Sequence, residues 1–214
     1  LFYLAENLSQ RKETFINLLM SIKGVSINHA VKEFEQSCER IFYYASMADK
    51  FEGNIHNPPM RGLTLAVKES IGVVASIMND HQPLLSLSTI ISSLFANGNA
   101  SIIVPSEKTS LIATSFYQVF ETSDIPAGSI NILTAKENEL NETLTQHENI
   151  DGIWTFSNNA KVRSSIIHGT VFNLKRYWCP KNNNIDWSNN DDEFLNQFLY
   201  EGSQVKNIWI PYGE

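Results

Sequence analysis

From Ile71 to His168 the chain alternates short, continuously apolar runs with segments of helical periodicity. Runs that are apolar on both faces are typical of parallel strands buried between two layers of helices. Right-handed crossovers between such strands place helices on both faces of the sheet. The pattern therefore predicts an α/β fold with a doubly wound, mostly parallel Rossmann-type sheet. The predicted strands are 71–78, 100–104, 129–133 and 152–156, and the predicted helices are 83–97, 109–121, 136–147 and 160–168.

Segments of a different character flank this alternating part of the chain. Helical spacing of apolar residues, Gly and Pro punctuation, and mixed apolar and polar runs distinguish them. The predicted segments are helices within 1–50, a loop at 51–60, a hairpin at 61–78, a strand at 171–179, an Asn- and Asp-rich loop at 181–192, a helix near 193–200 and a terminal strand at 205–211. We therefore divide the chain into a Rossmann domain at 1–180 and a loop, short helix and terminal strand at 181–214.

The composition argues against several kinds of partner. The formal charge of −7 and the pI near 5.3 disfavour nucleic acid and anionic membranes as partners. The longest apolar run, Ile71–Met78, is too short to span a bilayer. The two cysteines, Cys38 and Cys179, lie far apart without the spacing of a metal site or a disulfide framework. We therefore expect no bound metal and a reducing, cytoplasmic location.

Two motifs about twenty residues apart carry the most specific signal in the chain. The first, Ala96–Glu107, reads A-N-G-N-A-S-I-I-V-P-S-E, and the second, Ile125–Thr134, reads I-P-A-G-S-I-N-I-L-T. In this order they resemble the A-G-N-x-V-V-x-K-P-S-E and P-P-G-x-x-N-V-x-T motifs of the aldehyde dehydrogenase superfamily, in its cofactor-binding domain. Ser106 is also predicted to cap the helix that follows Pro105. The resemblance covers about the first four-fifths of the chain and implies a dinucleotide-binding Rossmann fold.

Residues that the resemblance assigns to cofactor binding are only partly kept. Val104 stands where the family has a ribose-binding Lys, whereas Glu107 is retained. The family's F-T-G-S-T-x-x-G turn matches Phe156–Arg163, in which Asn158 and Arg163 replace the two glycines. Glycine there lets the backbone approach a pyrophosphate, whereas asparagine can keep a left-handed backbone but adds a side chain that occupies space. The candidate cofactor-binding residues are therefore Glu107, Asn158 and Arg163, and we expect no bound cofactor, with NAD(P) binding as the alternative.

The resemblance implies no catalytic residue in this chain. His81 stands where the family has the Asn that holds the oxyanion, in a segment that we interpret as a solvated loop. The family's E-L-G-G-K segment, which carries the general base, and its G-Q-x-C nucleophile do not occur in the sequence. Cys179 has no accompanying His or Glu motif, and Cys38 lies on an apolar helical face.

These observations favour a non-catalytic, aldehyde dehydrogenase-like domain with a structural, oligomerisation or docking role. Because the chain opens at Leu1, without Met and within a helical pattern, we expect a degenerate C-terminal copy cut from a longer, two-copy dehydrogenase. The expected partners are the catalytic domain of the same parent protein and further copies of the chain, met through edge strands. One alternative is a module that binds NAD(P) for the parent oxidoreductase. Another is an independent enzyme that uses His81, Asp80 or Cys179.

Overall fold

The structure, a computed structural model, describes residues 1–59, 61–180 and 185–212. Its centre is a five-stranded sheet in the order β5-β4-β3-β6-β7, and every neighbouring pair in it is parallel. The strands are β3 (Val73–Ile77), β4 (Ala100–Val104), β5 (Ile130–Ile132), β6 (Gly152–Thr155) and β7 (Arg176–Trp178). The order reverses between β3 and β6, as in a doubly wound sheet. The predicted α/β Rossmann-type fold is confirmed.

Two hydrophobic layers cover the two faces of this sheet. The crossover helices are α4 (Pro83–Ala96), α5 (Ser110–Glu121), α6 (Glu137–Gln146) and α7 (Ala160–Val171). On one face, Val74 and Ile103 pack with the residues of α4 and α5. On the other face, Ala75 and Ile77 pack with residues of α6 and α7. Successive strand residues point to opposite faces, so a strand between two helical layers is apolar throughout.

The N-terminal residues form three helices, α1 (Phe2–Ser9), α2 (Lys12–Lys23) and α3 (Ile27–Met47). Helices were expected here, and the first helical pattern is divided at residues 10 and 11. Gly24 ends α2 with a left-handed backbone (φ 63°), which glycine adopts at no steric cost. Ser26 then caps α3 by accepting from the backbone N–H of His29 at 3.4 Å. None of the helices in the described part of the chain is both long and apolar enough to cross a bilayer.

The predicted hairpin at 61–78 is wrong, because its two strands belong to different sheets. β2 (Gly62–Ser70) pairs antiparallel with β1 (Asn54–His56) on one side and β8 (Ser203–Pro211) on the other. Gly72, at φ 126°, redirects the chain so that β3 enters the parallel sheet instead of folding back on β2. β1 also lies inside the segment that was predicted to be a loop. We call the three-stranded sheet β1-β2-β8 the flap.

The last part of the chain follows the predicted order of elements with shifted boundaries. The predicted strand at 171–179 shrinks to β7, because α7 continues to Val171 and Leu174 turns the chain with a positive φ of 53°. α8 (Asp192–Glu201) and β8 extend the predicted helix and terminal strand by one or two residues at their starts. Of the predicted loop at 181–192, residues 181–184 lie outside the described residues.

Arg40 anchors the chain that precedes α8. Its side chain is 2% exposed and donates to the carbonyls of Trp187 at 3.0 Å and Asn189 at 2.9 Å. It also donates to Thr89 Oγ1 at 3.2 Å and Asn190 Oδ1 at 2.8 Å. One buried guanidinium on α3 therefore fixes the path of residues 187–190 and so the start of α8. We call this set of bonds the Arg40 clamp.

Asn99 likewise holds separate segments together by side-chain hydrogen bonds, where the flap meets the body of the domain. Its Oδ1 accepts from the N–H groups of Ile71 at 2.8 Å and Gly72 at 3.1 Å. Its Nδ2 donates to the carbonyls of Leu94 at 3.2 Å and Gly202 at 2.8 Å. The side chain is 2% exposed, so its hydrogen-bonding capacity is met inside the protein. Asn99 thus joins β2 and β8, where each meets the body of the domain, to the end of α4.

Candidate functional site

A cavity of about 360 Å³ opens at the carboxyl ends of the parallel strands. Its floor and walls come from the residues that follow β3, β4 and β6, which are the strands on either side of the reversal in strand order. In open α/β sheets, ligands bind in the crevice at this switch point. The lining residues are Ile77, Met78, Asn79, Asp80, Val104, Pro105, Ser106, Glu107, Lys108, Ser157, Asn158 and Asn159. We call this space the switch-point cavity.

The segment after β3 forms one wall of the switch-point cavity. Asn79 Nδ2 donates to the carbonyl of Phe156 at 3.0 Å, which ties the end of β3 to the end of β6. The Asp80 carboxylate lies 3.5 Å from Lys108 Nζ and 3.9 Å from Lys23 Nζ. His81 follows as an exposed residue whose backbone N–H donates to Asn79 Oδ1 at 3.1 Å. Asn79 and Lys108 were not singled out from the sequence; a polar residue directly after a buried strand is the signal that could have revealed Asn79.

Glu107 lies at the mouth of the cavity. It begins a short 3₁₀ helix, Glu107–Thr109, and its side chain is exposed. The prediction that the Ser106 side chain caps this helix is wrong, because the hydroxyl makes no capping bond. The carbonyl of Ser106 instead accepts from the backbone N–H of Thr109 at 3.0 Å, which closes the 3₁₀ turn. Among the described residues the Glu107 carboxylate forms no ion pair, and it lies beside a tight turn that forms without a ligand.

Val104 closes the floor of the cavity with an apolar side chain. It is 1% exposed and packs with Ile77 and Val162 on the face of the sheet covered by α6 and α7. A valine offers no donor or acceptor to a ligand. The floor therefore contributes shape and a dry surface, and polar contacts to a ligand must come from the rim.

The two residues that replace the motif's glycines behave differently from each other. Asn158 lines the cavity with an exposed side chain, and it is not among the described residues with positive φ, so it does not adopt the left-handed backbone that asparagine tolerates. Arg163 is not a lining residue; its Nη1 donates to the carbonyl of Ser157 at 2.7 Å. Asn159 caps α7 by accepting from the backbone N–H of Lys161 at 3.0 Å. The turn between β6 and α7 thus satisfies several of its own polar groups.

The cysteines lie away from this cavity. Cys38 on α3 is half-buried beside the main core, and burial raises the pKa of its thiol to about 11. A thiol with so high a pKa is protonated at neutral pH and unreactive. Cys179 follows β7 and lines a separate cavity with Trp178 and Phe198. Within the described ranges, no His, Cys, Asp or Glu residues come together in the groups of three that could hold a metal ion.

Comparison with known proteins decides the family. The sequence model of the aldehyde dehydrogenase family matches residues 1–178. The chain belongs to the aldehyde dehydrogenase family. Its parallel sheet and the A-N-G-N and P-S-E segments are thus features of an aldehyde dehydrogenase domain.

Curated aldehyde dehydrogenases match the chain over part of their own length. NADP/NAD-dependent aldehyde dehydrogenase PuuC of Escherichia coli (strain K12) is 29% identical over 157 residues, which are 72% of this chain and 32% of that protein. Betaine aldehyde dehydrogenase of Bacillus subtilis (strain 168) is 25% identical over 211 residues, which are 94% of this chain and 43% of that protein. The chain thus spans less than half the length of either relative.

Solved structures of the family share this fold. PnpE from Pseudomonas sp. WBC-3 superposes with a TM-score of 0.78 at 25% identity, over 83% of this chain and 37% of that one. Betaine aldehyde dehydrogenase from Staphylococcus aureus, solved in complex with NAD+, superposes with a TM-score of 0.78 at 23% identity, over 83% of this chain and 35% of that one. The agreement covers the Rossmann part of each enzyme.

The switch-point cavity of this aldehyde dehydrogenase domain suits one end of a nicotinamide dinucleotide better than the other. The Glu107 carboxylate can accept hydrogen bonds from ribose hydroxyls. The pyrophosphate end fits poorly, because Asn159 already caps α7 and the lining carboxylates of Asp80 and Glu107 outnumber the ammonium of Lys108. Asn158 also adds a side chain where close backbone approach needs glycine. The ribose end fits these residues, and the pyrophosphate end does not.

Proposed function

We propose that the chain is a non-catalytic domain of a larger NAD(P)-dependent aldehyde dehydrogenase and that it docks, through its flap, onto a catalytic domain of the same parent protein. Its sequence lacks the E-L-G-G-K and G-Q-x-C motifs of the family's chemistry. Its cytoplasmic location belongs to the same proposal. The observation that carries the docking role is an aliphatic face on the flap.

The register of the flap brings this aliphatic face together. Ile55 on β1 lies opposite Leu65 on β2, and Leu65 lies opposite Ile208 on β8. Leu63 lies opposite Ile210 in the next row on the same side. Directly opposed residues in antiparallel strands have Cβ atoms about 5 Å apart, so the five side chains form one patch. We call Ile55, Leu63, Leu65, Ile208 and Ile210 the aliphatic face.

The exposure of apolar side chains to solvent makes the aliphatic face a candidate interface. Ile55 is 76% exposed and Ile210 is 48% exposed, and no described residue covers them. The outer edge of β8 is also open in the described part of the chain, since β8 pairs on one side with β2. An open edge beside an apolar face favours strand addition, in which backbone bonds give affinity and side chains give specificity. Because the chain spans less than half of its relatives, the remainder of an aldehyde dehydrogenase is the partner that we propose.

The test is a matched pair of substitutions on β8. Ile210→Lys places a charge on the aliphatic face, and Val205→Lys places one on the opposite side of the same strand at similar exposure, 48% against 51%. The chain and the catalytic domain of its parent are mixed, and the complex is measured by light scattering and calorimetry. We expect Ile210→Lys to weaken association at least about tenfold, which is about 1.4 kcal/mol, and Val205→Lys to weaken it less. Equal effects of the two substitutions, or association of the chain only with itself, would contradict docking to the catalytic domain.

NAD(P) binding in the switch-point cavity is the second candidate function, favoured by the retained Glu107. Calorimetric titration of the chain with NAD+ and with NADP+ tests it. Binding tighter than about 1 mM, lost in Glu107→Gln and kept in the exposed control Glu121→Gln, would support a nucleotide-binding module. An absence of binding heat at millimolar nucleotide would dismiss this candidate and leave the docking proposal untouched.

A further inference from the structure

A further cavity, of about 380 Å³, lies where three helices meet. Lys23 at the end of α2, the first turns of α3, and Gln82 directly before α4 form its walls. It shares no lining residue with the switch-point cavity, which lies on the other side of the segment between β3 and α4. We call it the helix-junction cavity.

Basic side chains dominate the helix-junction cavity, although the whole chain has a formal charge of −7. Lys23, Lys32, His29 and His81 line it, and Glu33 is its one acidic lining residue. Glu33 Oε1 accepts from the backbone N–H groups of Leu84 at 2.9 Å and Leu85 at 3.4 Å, so this carboxylate is committed to the start of α4.

The two lysines of the cavity have different surroundings. Lys23 Nζ donates to the carbonyl of Asp80 at 2.6 Å and lies 3.9 Å from its carboxylate. Lys32 is exposed and forms no ion pair within the described ranges. An ammonium group without a partner at the edge of a concave space is suited to bind an anion. The cavity therefore has a cation at Lys32, and the imidazole of His29 lies near it on the same helix.

Two buried acceptors lie among the residues that line the same cavity. Gln36 Oε1 and Gln82 Oε1 are buried, and neither has a hydrogen-bond partner among the described residues. Gln82 is held in the left-handed region at φ 42°, a strained backbone for a residue other than glycine and one that is common at binding sites. The last torsion of a glutamine is soft, so rotation can turn either oxygen toward the cavity. For Gln36 this rotation gives up only the long bond of 3.4 Å that its Nε2 donates to the carbonyl of Ser188. A bound hydroxyl group would satisfy these acceptors.

We propose that the helix-junction cavity binds a small organic anion that also carries hydroxyl groups. The acidic group of the ligand, a phosphate or a carboxylate, contacts Lys32 and His29. The hydroxyl groups donate to Gln36 Oε1 and Gln82 Oε1. This inference does not depend on docking through the flap, since none of these residues belongs to the flap.

Calorimetric titration of the 214-residue chain tests separately the role of the ligand's acidic group and the role of its hydroxyl groups. The probes are glycerol 3-phosphate and glycerate, which distinguish the two acidic groups, with inorganic phosphate and glycerol as references that each lack one half of the ligand. We expect at least one of the two hydroxylated anions to bind with a Kd below about 1 mM and both references to bind at least about tenfold more weakly. Equal binding of inorganic phosphate would remove the role of the hydroxyl groups and overturn the proposal.

Three variants locate the binding. Lys32→Gln removes the cation and is expected to weaken the tighter probe at least about tenfold, because bonds to charged groups are the strong ones. Gln36→Leu removes one acceptor and is expected to reduce that probe to the affinity of its reference anion. Lys161→Gln, an exposed lysine on α7, is the matched control and should change nothing. His29→Gln gives an independent second variant beside Lys32. Thermal unfolding checks that each variant is folded. Equal losses in Lys32→Gln and Lys161→Gln, or no binding of either probe at 10 times the expected Kd (about 10 mM), would refute the site.

Discussion

Replacing Arg40 with methionine removes the Arg40 clamp while keeping an unbranched side chain of similar length. Arg40 donates four hydrogen bonds, and three of its acceptors belong to residues 187–190. A hydrogen bond to a charged group contributes about 1.5–3 kcal/mol, and a buried acceptor left without a donor costs about 1–3 kcal/mol. The guanidinium also lies 5.6 Å from the ring centre of Phe194, a cation–π contact at the start of α8.

Two opposing effects reduce the loss of stability in Arg40→Met. Burial lowers the pKa of Arg40 from its ordinary value, which reflects the cost of keeping its charge away from water, and the substitution removes that cost. Water can also reach the acceptors of Asn189 and Asn190, which are part-buried. We therefore expect Arg40→Met to lower the free energy of unfolding by about 3 kcal/mol, a large fraction of the 5–15 kcal/mol (approximately) typical of a domain.

Urea unfolding followed by tryptophan fluorescence measures this loss. Trp187 lies next to the clamp and is fully buried. Arg11→Met is the matched control, because Arg11 forms an exposed bond to Gln118 at 2.9 Å, and it should stay within about 0.5 kcal/mol of the wild type. Amide hydrogen exchange in α8 should also accelerate in Arg40→Met, since the clamp fixes the start of that helix. A loss in Arg40→Met no larger than in Arg11→Met would refute the clamp as an energetic feature.

Three further substitutions, at Asn99, Gly72 and Glu33, are each tested by the free energy of unfolding. Asn99→Ala breaks four bonds, two buried and two part-buried, and should cost about 3 kcal/mol, against less than about 0.5 kcal/mol for the exposed control Asn28→Ala. Gly72→Ala adds a methyl group to a left-handed backbone and against the Asp151 carboxylate, so a loss below about 1 kcal/mol would contradict the observed backbone. Glu33→Gln keeps the acceptor for α4 but removes the charge. Burial raises the pKa of Glu33 in the folded chain above its ordinary 4.5. The wild type should therefore lose stability relative to Glu33→Gln as pH rises from below 4.5 through the raised pKa. A stability difference that does not change with pH would contradict this.

The parallel sheet could be predicted because its signal is local. β4 has the predicted bounds, 100–104, since a continuous apolar run has only one arrangement that buries both of its faces. The hairpin at 61–78 was predicted wrongly because the two runs that form β2 and β3 were interpreted as strands of one sheet. In β2 the buried residues alternate, as at Thr64 and Ala66, whereas four of the five residues of β3 are buried. That difference indicates two sheets. The pairing of β2 with β8 could not be predicted, because partners such as Gly62 and Pro211 are far apart in the sequence.

The Arg40 clamp shows why other parts could not be predicted. Arg40 stands in a helical pattern where an arginine is ordinarily solvated. Its carbonyl partners are about 150 residues away in the chain, and a backbone carbonyl leaves no trace in a sequence. The unused acceptors Gln36 Oε1 and Gln82 Oε1 were hidden for the same reason, because their burial follows from the packing of three separate helices.

The switch-point cavity separates motif residues with structural roles from those that serve a ligand. Asn99, in the A-N-G-N segment, uses its whole side-chain amide to hold the flap and α4 together, which requires asparagine whether or not a nucleotide binds. The turn before α7 has no such internal requirement for glycine. There Arg163 donates to the carbonyl of Ser157 and Asn159 caps the helix, so the turn is stable without an anion at its N-terminus. The retained Asn99 is therefore a residue that the fold itself needs, whereas the retained Glu107 is an exposed side chain at the mouth of the cavity, where nucleotide binding can be tested.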